Sequence, residues 1–478
     1  MIAYDSTPVP LVTVLAQAPA PLIVGEQELV RAVAAGKRLV VLDDDPTGTQ
    51  TIAALPVLTS WGVDDIRWAL AQNTTAFFIL VNTRSLSATD AAARDREVVR
   101  ACLRAAALDE VELVFASRGD STLRGHYPLE TDVIAAELRD AGQTVDAVVI
   151  APAYIEAGRI TVDSLHWAAT AGGMVPVGAS DFARDATFGY AASDLADWVE
   201  EKTGGAIGRE SVTRITLRDI RLGGVDRVAE MLSGVRGGLP VVVDAADDDD
   251  LHVLALALVR AESEGRTFLY RVGPSFVRAR SGQTASPPID TSVLREPSGG
   301  SGHGLIVVGS HVPQTSRQLA RLTGRRAIAS IELESERLLG ADVDAYVAEV
   351  AQGVIGLLRA GDVVLATSRV LLTRDTGEES LALSRAISSG VVGVVRAVTR
   401  AVRPAFVIAK GGITSSDVAT DGLGIARAWV RGTLLPGIVS LWMPAGGPSD
   451  GLPYVVFAGN VGDDDALAKV VDRLSEVP

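Results

Sequence analysis

Short apolar runs rich in β-branched residues alternate along the chain with longer segments of helical period. The runs predict strands at 38–42, 77–81, 111–115, 147–150, 241–243, 305–308, 363–366, 406–409 and 454–457. The longer segments predict amphipathic helices at 91–108, 129–141, 251–264, 343–360, 380–401 and 465–474. Continuously apolar strands separated by helices are typical of parallel sheets that are covered on both faces. The pattern therefore predicts an α/β fold with mainly parallel sheets.

One stretch lacks any periodic apolar pattern and divides the chain. Residues 287–304 read PPIDTSVLREPSGGSGHG, and this mixture of prolines, glycines and serines is typical of a linker. We therefore expect an N-terminal extension at 1–36, a larger α/β domain at 37–286, a linker at 287–303 and a smaller α/β domain at 304–478. Two α/β domains joined in this way favour an active-site cleft between them, beyond the carboxyl ends of the strands.

Composition and charge exclude several classes of protein. The 478 residues include 44 Lys or Arg and 59 Asp or Glu, and the formal net charge of −15 disfavours nucleic acid and anionic lipid as partners. The single cysteine, Cys102, excludes an internal disulfide and a cysteine-rich zinc site and suits a reducing compartment. No run of about 20 apolar residues occurs, and the first basic residue is Arg31, so we expect neither a transmembrane helix nor an export signal. The expectation is a cytoplasmic protein with small-molecule partners, and a homodimer is one option for its assembly.

Three consecutive carboxylates follow the first strong strand, in the segment VVLDDDPTGTQ. Like charges this close raise one another's pKa unless something binds them, and polyol hydroxyls, a lysine or Mg²⁺ would each compensate. The same segment matches the DxDxT pattern of haloacid-dehalogenase-like phosphatases, with Asp43 as nucleophile and Asp45 as acid/base. The turn alone leaves these interpretations open, together with that of a plain acidic turn.

Arginines and hydroxyl groups follow two later strands. In the segment SRGDSTLRGHYPLE, Arg118 and Arg124 can each bind a carboxylate through paired hydrogen bonds. Asp120 and Ser121 can bind hydroxyls, and the aspartate can also accept a proton. Arg159 follows the next strand and brings a third guanidinium to the same edge of the sheet. We expect a site for a small hydroxylated anion at this edge.

Three glycine turns lie at strand ends in the smaller domain. They contain Gly309-Ser310, Lys410-Gly411-Gly412-Ile413-Thr414 and Gly459-Asn460-Val461-Gly462. Glycine lets the backbone approach a ligand closely, and hydroxyls and backbone N–H groups bind phosphate. Glycine turns join strands to helices in many α/β proteins, but three in one domain favour a nucleotide site.

Taken in order, these motifs resemble the pattern of the four-carbon acid sugar kinase family. The larger domain matches its Asp-Asp-x-Thr-Gly, Asp-Ser-Thr-Leu-Arg-Gly and Gly-Arg motifs at Asp44 to Gly48, Asp120 to Gly125 and Gly158-Arg159. The smaller domain matches Gly-Ser with Thr and Gln, Gly-Gly-x-Thr-Ser and Gly-Asn-x-Gly at Gly309-Ser310, Thr315, Gln318, Gly411 to Ser415 and Gly459 to Gly462. The chain departs from the pattern at Ile413, where an acid is expected, and at Ser117, where a basic residue is expected.

The resemblance implies a kinase that transfers the γ-phosphoryl group of ATP, with Mg²⁺, to the terminal hydroxyl of a 3-oxo-tetronate, threonate or erythronate. The larger domain would bind the sugar acid through Asp44, Asp45, Arg118, Asp120, Ser121, Arg124 and Arg159. Either Asp45 or Asp120 would accept the proton of the attacking hydroxyl. The smaller domain would bind ATP through Ser310, Gly411, Gly412, Ile413, Thr414 and Gly459, and no metal ligands are assigned. The alternatives are the phosphatase and a sensor that binds a sugar acid without turnover.

Overall fold

The fold is known from a computed structural model, which describes residues 6–291, 301–325, 328–340, 342–369 and 377–475. The chain divides into two compact units, Met1–Ala285 and Ser286–Pro478, called here the N-terminal and C-terminal units. The predicted linker begins just beyond this division, and its residues 292–300 lie outside the described residues. None of the helices in the described ranges combines the length and the apolar character needed to cross a membrane.

The N-terminal unit is built on a parallel sheet whose strands lie in the order β2-β3-β1-β4-β11-β5-β10-β9. Its strands are β1 (Arg38–Asp43), β2 (Leu55–Leu58), β3 (Ala76–Leu80), β4 (Leu113–Arg118), β5 (Ala147–Ala151), β6 (Arg159–Val162), β7 (Leu165–Thr170), β8 (Gly173–Pro176), β9 (Thr213–Ile215), β10 (Leu239–Val243) and β11 (Phe268–Val272). Its helices are α1 (Leu11–Val14), α2 (Glu26–Ala34), α3 (Val63–Leu70), α4 (Ala88–Asp109), α5 (Leu129–Asp140), α6 (Leu195–Lys202), α7 (Leu217–Gly234), α8 (Asp248–Ser263) and α9 (Pro274–Arg280). The central strands are buried along their length, which requires cover on both faces.

A small antiparallel sheet of β6, β7 and β8 joins this unit, and the N-terminal extension packs against it. The backbone of Val9 pairs with Met174 of β8. Val14 and Leu15, from the same extension, pack on a cluster that includes Ile160 of β6. The extension is therefore an integral layer of the N-terminal unit.

The C-terminal unit has a mixed sheet in the order β13-β14-β12-β15-β18-β17-β16. Its strands are β12 (Leu305–Val308), β13 (Ala329–Leu333), β14 (Val363–Thr367), β15 (Val407–Lys410), β16 (Arg427–Leu435), β17 (Val439–Pro444) and β18 (Tyr454–Phe457). Its helices are α10 (Pro313–Arg325), α11 (Val343–Leu358), α12 (Gly377–Ala401), α13 (Gly412–Asp417) and α14 (Ala466–Ser475). Neighbouring strands are parallel from β13 through β14, β12 and β15 to β18. The last two strands, β17 and β16, pair antiparallel and form one edge of this order.

The predicted fold class is confirmed, since both units are α/β with mainly parallel strands. The predicted strands and helices all occur, with ends displaced by a few residues. The apolar pattern does not predict β7 or β16, because these strands mix buried positions with half-buried or exposed ones instead of forming continuous apolar runs. Nor does it predict the short strands β2, β6, β8, β9, β13 and β17. It also misses β11, which lies at the centre of the sheet. The predicted cleft between the domains stays a prediction.

Candidate functional site

Two of the three carboxylates in the acidic turn are neutralised by arginines. Asp43 ends β1, is 1% exposed, and accepts a hydrogen bond from Nε of Arg118 at the end of β4. Arg84, in the loop after β3, donates to both carboxylate oxygens of Asp44 at 3.1 and 2.8 Å. Arginine side chains therefore balance the charge of these carboxylates. The sequence alone suggested hydroxyls, a lysine or Mg²⁺ for this role. A buried, paired Asp43 does not suit the nucleophile of a phosphatase.

Asp45 is the more accessible carboxylate of the turn, with 20% of its side chain exposed. It caps the short 3₁₀ helix Pro46–Thr51 by accepting the backbone N–H of Thr47 at 2.9 Å. Burial alone would raise the pKa of Asp45, but the guanidiniums of Arg84 and Arg118 lower it overall. The Asp45 carboxylate therefore stays ionised beside the guanidiniums of Arg84 and Arg118.

A buried ion-pair network lies next to this turn. Arg271 of β11 donates to Glu130 and, at 2.7 Å, to the hydroxyl of Ser117. The hydroxyls of Ser117 and Thr83 also donate to the Glu130 carboxylate, at 3.0 and 2.5 Å. Ser117 stands where the family pattern has a basic residue. Here its hydroxyl accepts a hydrogen bond from Arg271, an arginine of another strand. Arg271 belongs to no local motif, so the sequence gives no sign of its role, and Glu130 ends the segment SRGDSTLRGHYPLE without a role predicted for it.

Asp120 and Arg124 form one unit in the loop after β4. The Asp120 carboxylate accepts hydrogen bonds from Thr122 Oγ1 and, at 2.6 Å, from Arg124 Nε. Burial opposes ionisation, but the guanidiniums of Arg84 and Arg124 hold the pKa of Asp120 well below its usual range. Arg124 also lies 3.5 Å from a carboxylate oxygen of Asp185. Asp120 is therefore well suited to orient an arginine and poorly suited to accept a proton.

Ser121 is 7% exposed, and its backbone braces the same loop. The Ser121 carbonyl lies 2.8 Å from Nε2 of His166, and the Thr122 carbonyl accepts the Tyr190 hydroxyl at 2.5 Å. These two bonds hold the loop that carries Ser121, Asp120 and Arg124.

Arg159, the first residue of β6, reaches the same place from the small sheet. The guanidiniums of Arg124 and Arg159 lie 5.3 and 5.4 Å from the ring centre of Phe182. Within the described ranges, Arg159 forms no ion pair, and its buried Nε has no hydrogen-bond partner. Burial lowers the pKa of Arg159. This guanidinium is therefore the one best prepared to bind an anion.

The three glycine turns of the C-terminal unit meet at Ser310. They follow β12, β15 and β18, which are neighbours in the sheet. A Cβ atom added to Gly459 would lie 2.5 Å from Ser310 Oγ, and one added to Gly411 would lie 3.1 Å from Ser310 Cβ. Thr315 Oγ1 lies 3.1 Å from Ser310 Oγ and donates to the Gly459 carbonyl at 2.9 Å. The structure thus brings the predicted nucleotide turns together.

Other predicted residues of this unit differ in their exposure. Ile413 is 57% exposed, and Gln318 donates to the carbonyls of Val461 and Asp463 at 2.9 and 2.8 Å. Lys410, by contrast, is buried, and its Nζ donates to the Ala458 carbonyl at 2.6 Å. Burial lowers the pKa of Lys410 to about 7. Lys410 therefore braces the turn after β18 instead of presenting its charge to a ligand.

Arg369, which no sequence motif predicted, lies just beyond β14. Its Nη2 donates to the Ser310 carbonyl at 2.6 Å and to Ser316 Oγ at 2.9 Å. The buried Nε and Nη1 atoms of Arg369 have no hydrogen-bond partner in the described part of the chain. A guanidinium with open donors beside Ser310 adds the positive charge that a polyphosphate requires.

The donor set bears on how Mg²⁺ would be held. Across the described ranges, no group of three or more His, Cys, Asp or Glu side chains is arranged to hold a metal ion. Mg²⁺ commonly binds one or two carboxylates and the phosphates of its substrate while keeping several waters. An ion bound to the phosphates of a nucleotide would need few ligands from the protein.

Family models match both units. Residues 39–280 match the model of a sugar-binding N-terminal domain, and residues 305–467 match the model of a nucleotide-binding C-terminal domain. The two models therefore match the N-terminal and C-terminal units in the order of the chain.

Individual relatives agree with these models. The chain is 28% identical to a D-threonate kinase of Bordetella bronchiseptica over 92% of this chain and 98% of that protein. The fold is similar to those of two solved structures, a putative tRNA synthase of Salmonella typhimurium and a Haemophilus influenzae protein, with TM-scores of 0.65 and 0.59. Each is 19% identical, and each alignment covers 90% of this chain and 98% of the other. The motifs, the two domain models and the threonate kinase relative together show that this chain belongs to the four-carbon acid sugar kinase family.

Proposed function

We propose that this protein is an ATP-dependent kinase that phosphorylates the terminal hydroxyl of a four-carbon sugar acid, with D-threonate as the first substrate to test. The proposal rests on Arg159, a half-buried guanidinium that donates to the Ala157 carbonyl but has no carboxylate partner in the described residues. A sugar-acid carboxylate would supply the missing partner. The D-threonate kinase relative supports this choice of acid.

The nearby residues divide the work of holding the acid. Arg124 already contacts Asp120 and Asp185, so its position is set before any ligand binds. The ring of Phe182 lies within 5.4 Å of both guanidiniums, so both arginines reach the same place. Arg159 would then bind the carboxylate, while the carboxylates of Asp45 and Asp120 would accept hydrogen bonds from the hydroxyls. Pre-oriented groups of this kind reduce the entropy lost when the substrate is positioned.

Phosphoryl transfer requires positioning and neutralisation of charge more than covalent chemistry. Ser310, the Gly411 to Thr414 turn and Gly459 would hold the phosphates, with Arg369 neutralising charge beside Ser310. Bound Mg²⁺ would neutralise further charge on the phosphates. Asp45 is the better candidate for proton acceptor, because Asp120 is engaged by Arg124 and Thr122.

The first experiment measures ADP release with ATP and Mg²⁺ across threonate, erythronate and 3-oxo-tetronate stereoisomers. Turnover with at least one acid is expected. Release of phosphate from a sugar phosphate without ATP would instead indicate a phosphatase, and binding of an acid without turnover would indicate a sensor. Either result would contradict the proposal.

Variants then test the roles. Arg159→Lys keeps the charge but loses the paired hydrogen bonds, and we expect the KM for the acid to rise about 10- to 100-fold with the KM for ATP unchanged. Arg184→Lys is the matched control, because the Arg184 side chain is 71% exposed. Asp45→Asn should lower kcat about 100-fold or more if Asp45 accepts the proton. Near-normal kcat in both Asp45→Asn and Asp120→Asn would exclude both residues as the base.

A further inference from the structure

A cavity of about 180 Å³ lies within the C-terminal unit, directly beside the predicted phosphate turns. Gly309, Ile413 and Thr414 belong both to those turns and to the cavity wall. The remaining wall comes mainly from the carboxyl ends of β13 and β14 and from α12 and α13. A group that enters this cavity would therefore stay close to a polyphosphate bound at Ser310.

The wall formed by α12 is mainly apolar, and its one polar residue, Ser388, donates a hydrogen bond to Asp417 of the same cavity. Leu383, Ile387 and Val391 line the cavity and are spaced four residues apart, so they lie along one face of the helix. Val392 and Val418 add further aliphatic surface. Such walls suit a flat, weakly polar ring system and do not suit the hydroxylated chain of a sugar acid.

Polar atoms without partners also line the cavity. Thr367 and Ser335 are 1% and 2% exposed, and neither Thr367 Oγ1 nor Ser335 Oγ has a hydrogen-bond partner within the described ranges. His311 also lines the cavity, and its buried Nδ1 likewise has no hydrogen-bond partner in the described residues. Buried polar atoms normally find partners, because leaving one without a partner destabilises the fold. Hydroxyl and imidazole groups can donate to or accept from the ring nitrogens of a heterocycle.

We propose that this cavity binds the purine base of the nucleoside triphosphate, with the aliphatic face of α12 against the ring and Thr367 and Ser335 bonded to its edge. This inference rests on the proposed nucleotide-dependent function and adds the place where the base is recognised. It assigns specificity for the nucleotide to β13, β14 and α12, outside the three glycine turns.

Two probes separate the base from the phosphates. Adenosine carries the base without phosphates, and inorganic tripolyphosphate carries phosphates without the base. Both should inhibit the wild-type enzyme in competition with ATP. If the cavity holds the base, a change in its wall should raise the inhibition constant of adenosine. The inhibition constant of tripolyphosphate should stay within about twofold of its wild-type value.

Two variants change the wall in different ways. Ile387→Trp fills the cavity and should raise the inhibition constant of adenosine at least about tenfold by steric exclusion. Thr367→Val removes one hydroxyl and keeps nearly the same side-chain shape. It should raise the inhibition constant of adenosine about three- to tenfold, the effect of one hydrogen bond. Thr367→Val should fold at least as stably as the wild type, because it removes a buried hydroxyl without a partner. Thr323→Val, on the exposed side of α10, is the matched control.

The outcomes are distinct. Equal weakening of both probes, or no change in adenosine with either variant, would overturn the inference. If the wild type releases no ADP with any sugar acid, the proposed function fails, and calorimetric titration with adenosine and ATP still tests the cavity. If Ile387→Trp does not fold, Thr367→Val decides the question.

Discussion

The substitution Gly459→Ala tests whether the glycine turns form the phosphate site. The added Cβ would lie 2.5 Å from Ser310 Oγ, closer than Cβ atoms approach other atoms in proteins, and at a tight 3.3 Å from Ser310 Cβ. The φ angle of Gly459 lies outside the left-handed region, so alanine can adopt this backbone conformation. The perturbation is therefore steric, and Ser310 has to move.

The magnitude follows from the bonds that Ser310 makes. Its Oγ lies 3.3 Å from the backbone N of Val312 and 3.1 Å from Thr315 Oγ1. A neutral hydrogen bond stabilises a fold by about 0.5–1.5 kcal/mol net, so the loss of both bonds would destabilise this arrangement of the turn by about 1–3 kcal/mol. If the turn must hold this arrangement to bind phosphate, the KM for ATP should rise about 5- to 150-fold.

The assay is steady-state ADP release at saturating sugar acid, with circular dichroism to confirm the fold. Gly356→Ala, on α11, is the matched control, because no atom lies within 4 Å of its added Cβ. Ser310→Gly removes the atoms that clash, so adding Gly459→Ala to it should cost little more. A KM for ATP within twofold of wild type in folded Gly459→Ala would refute the placement of the phosphates. A full additional effect in the double variant would refute the steric explanation.

Three further predictions concern other parts of the molecule. Arg118→Met should lower the free energy of unfolding by about 3–5 kcal/mol, because it leaves the Asp43 carboxylate buried without its partner; a urea-unfolding loss below about 1 kcal/mol would contradict this. Lys410 has a pKa lowered to about 7 in the folded protein from its ordinary 10.5, so the unfolded chain holds more protons between these values. Stability should therefore rise with pH above 7, by at most about 1.4 kcal/mol per pH unit from this group, and Lys410→Met should remove that contribution in urea titrations at several pH values. Val14→Asp, where the N-terminal extension packs on the small sheet, should raise the KM for the sugar acid by disturbing β6 and Arg159. Val12→Asp, at a residue that is 76% exposed, should not, and equal effects of the two on KM would contradict the coupling.

Sequence patterns predict those features whose cause is local. The long helices follow from apolar residues repeated on one face. Asp120 and Arg124 are four residues apart, so their pairing needs only the turn that contains both. The glycine turns are likewise short segments at strand ends, and parallel strands place such ends at one edge of a sheet. The family resemblance came from these local segments taken in order.

The residues that sequence analysis missed depend on strand order and on single side chains. Arg271 reaches Glu130 because β11 inserts between β4 and β5, and no local pattern specifies that insertion. Arg84 and Arg369 each stand alone in a loop, without neighbours that form a motif. Lys410 lies in one of the glycine turns, and the sequence around it does not predict that its side chain is buried. Its burial comes from packing against Phe457 and Ala458, nearly fifty residues further along the chain.

The position of β11 has a consequence for synthesis of the protein on the ribosome. Phe268–Val272 is the last strand of the N-terminal unit to emerge, yet it pairs with both β4 and β5 in the middle of the sheet. A nascent chain that stops short of Phe268 would expose two apolar strand edges, each able to pair with another chain. The N-terminal unit therefore cannot complete its sheet in step with its emergence, and any fragment designed for separate expression should extend at least through β11.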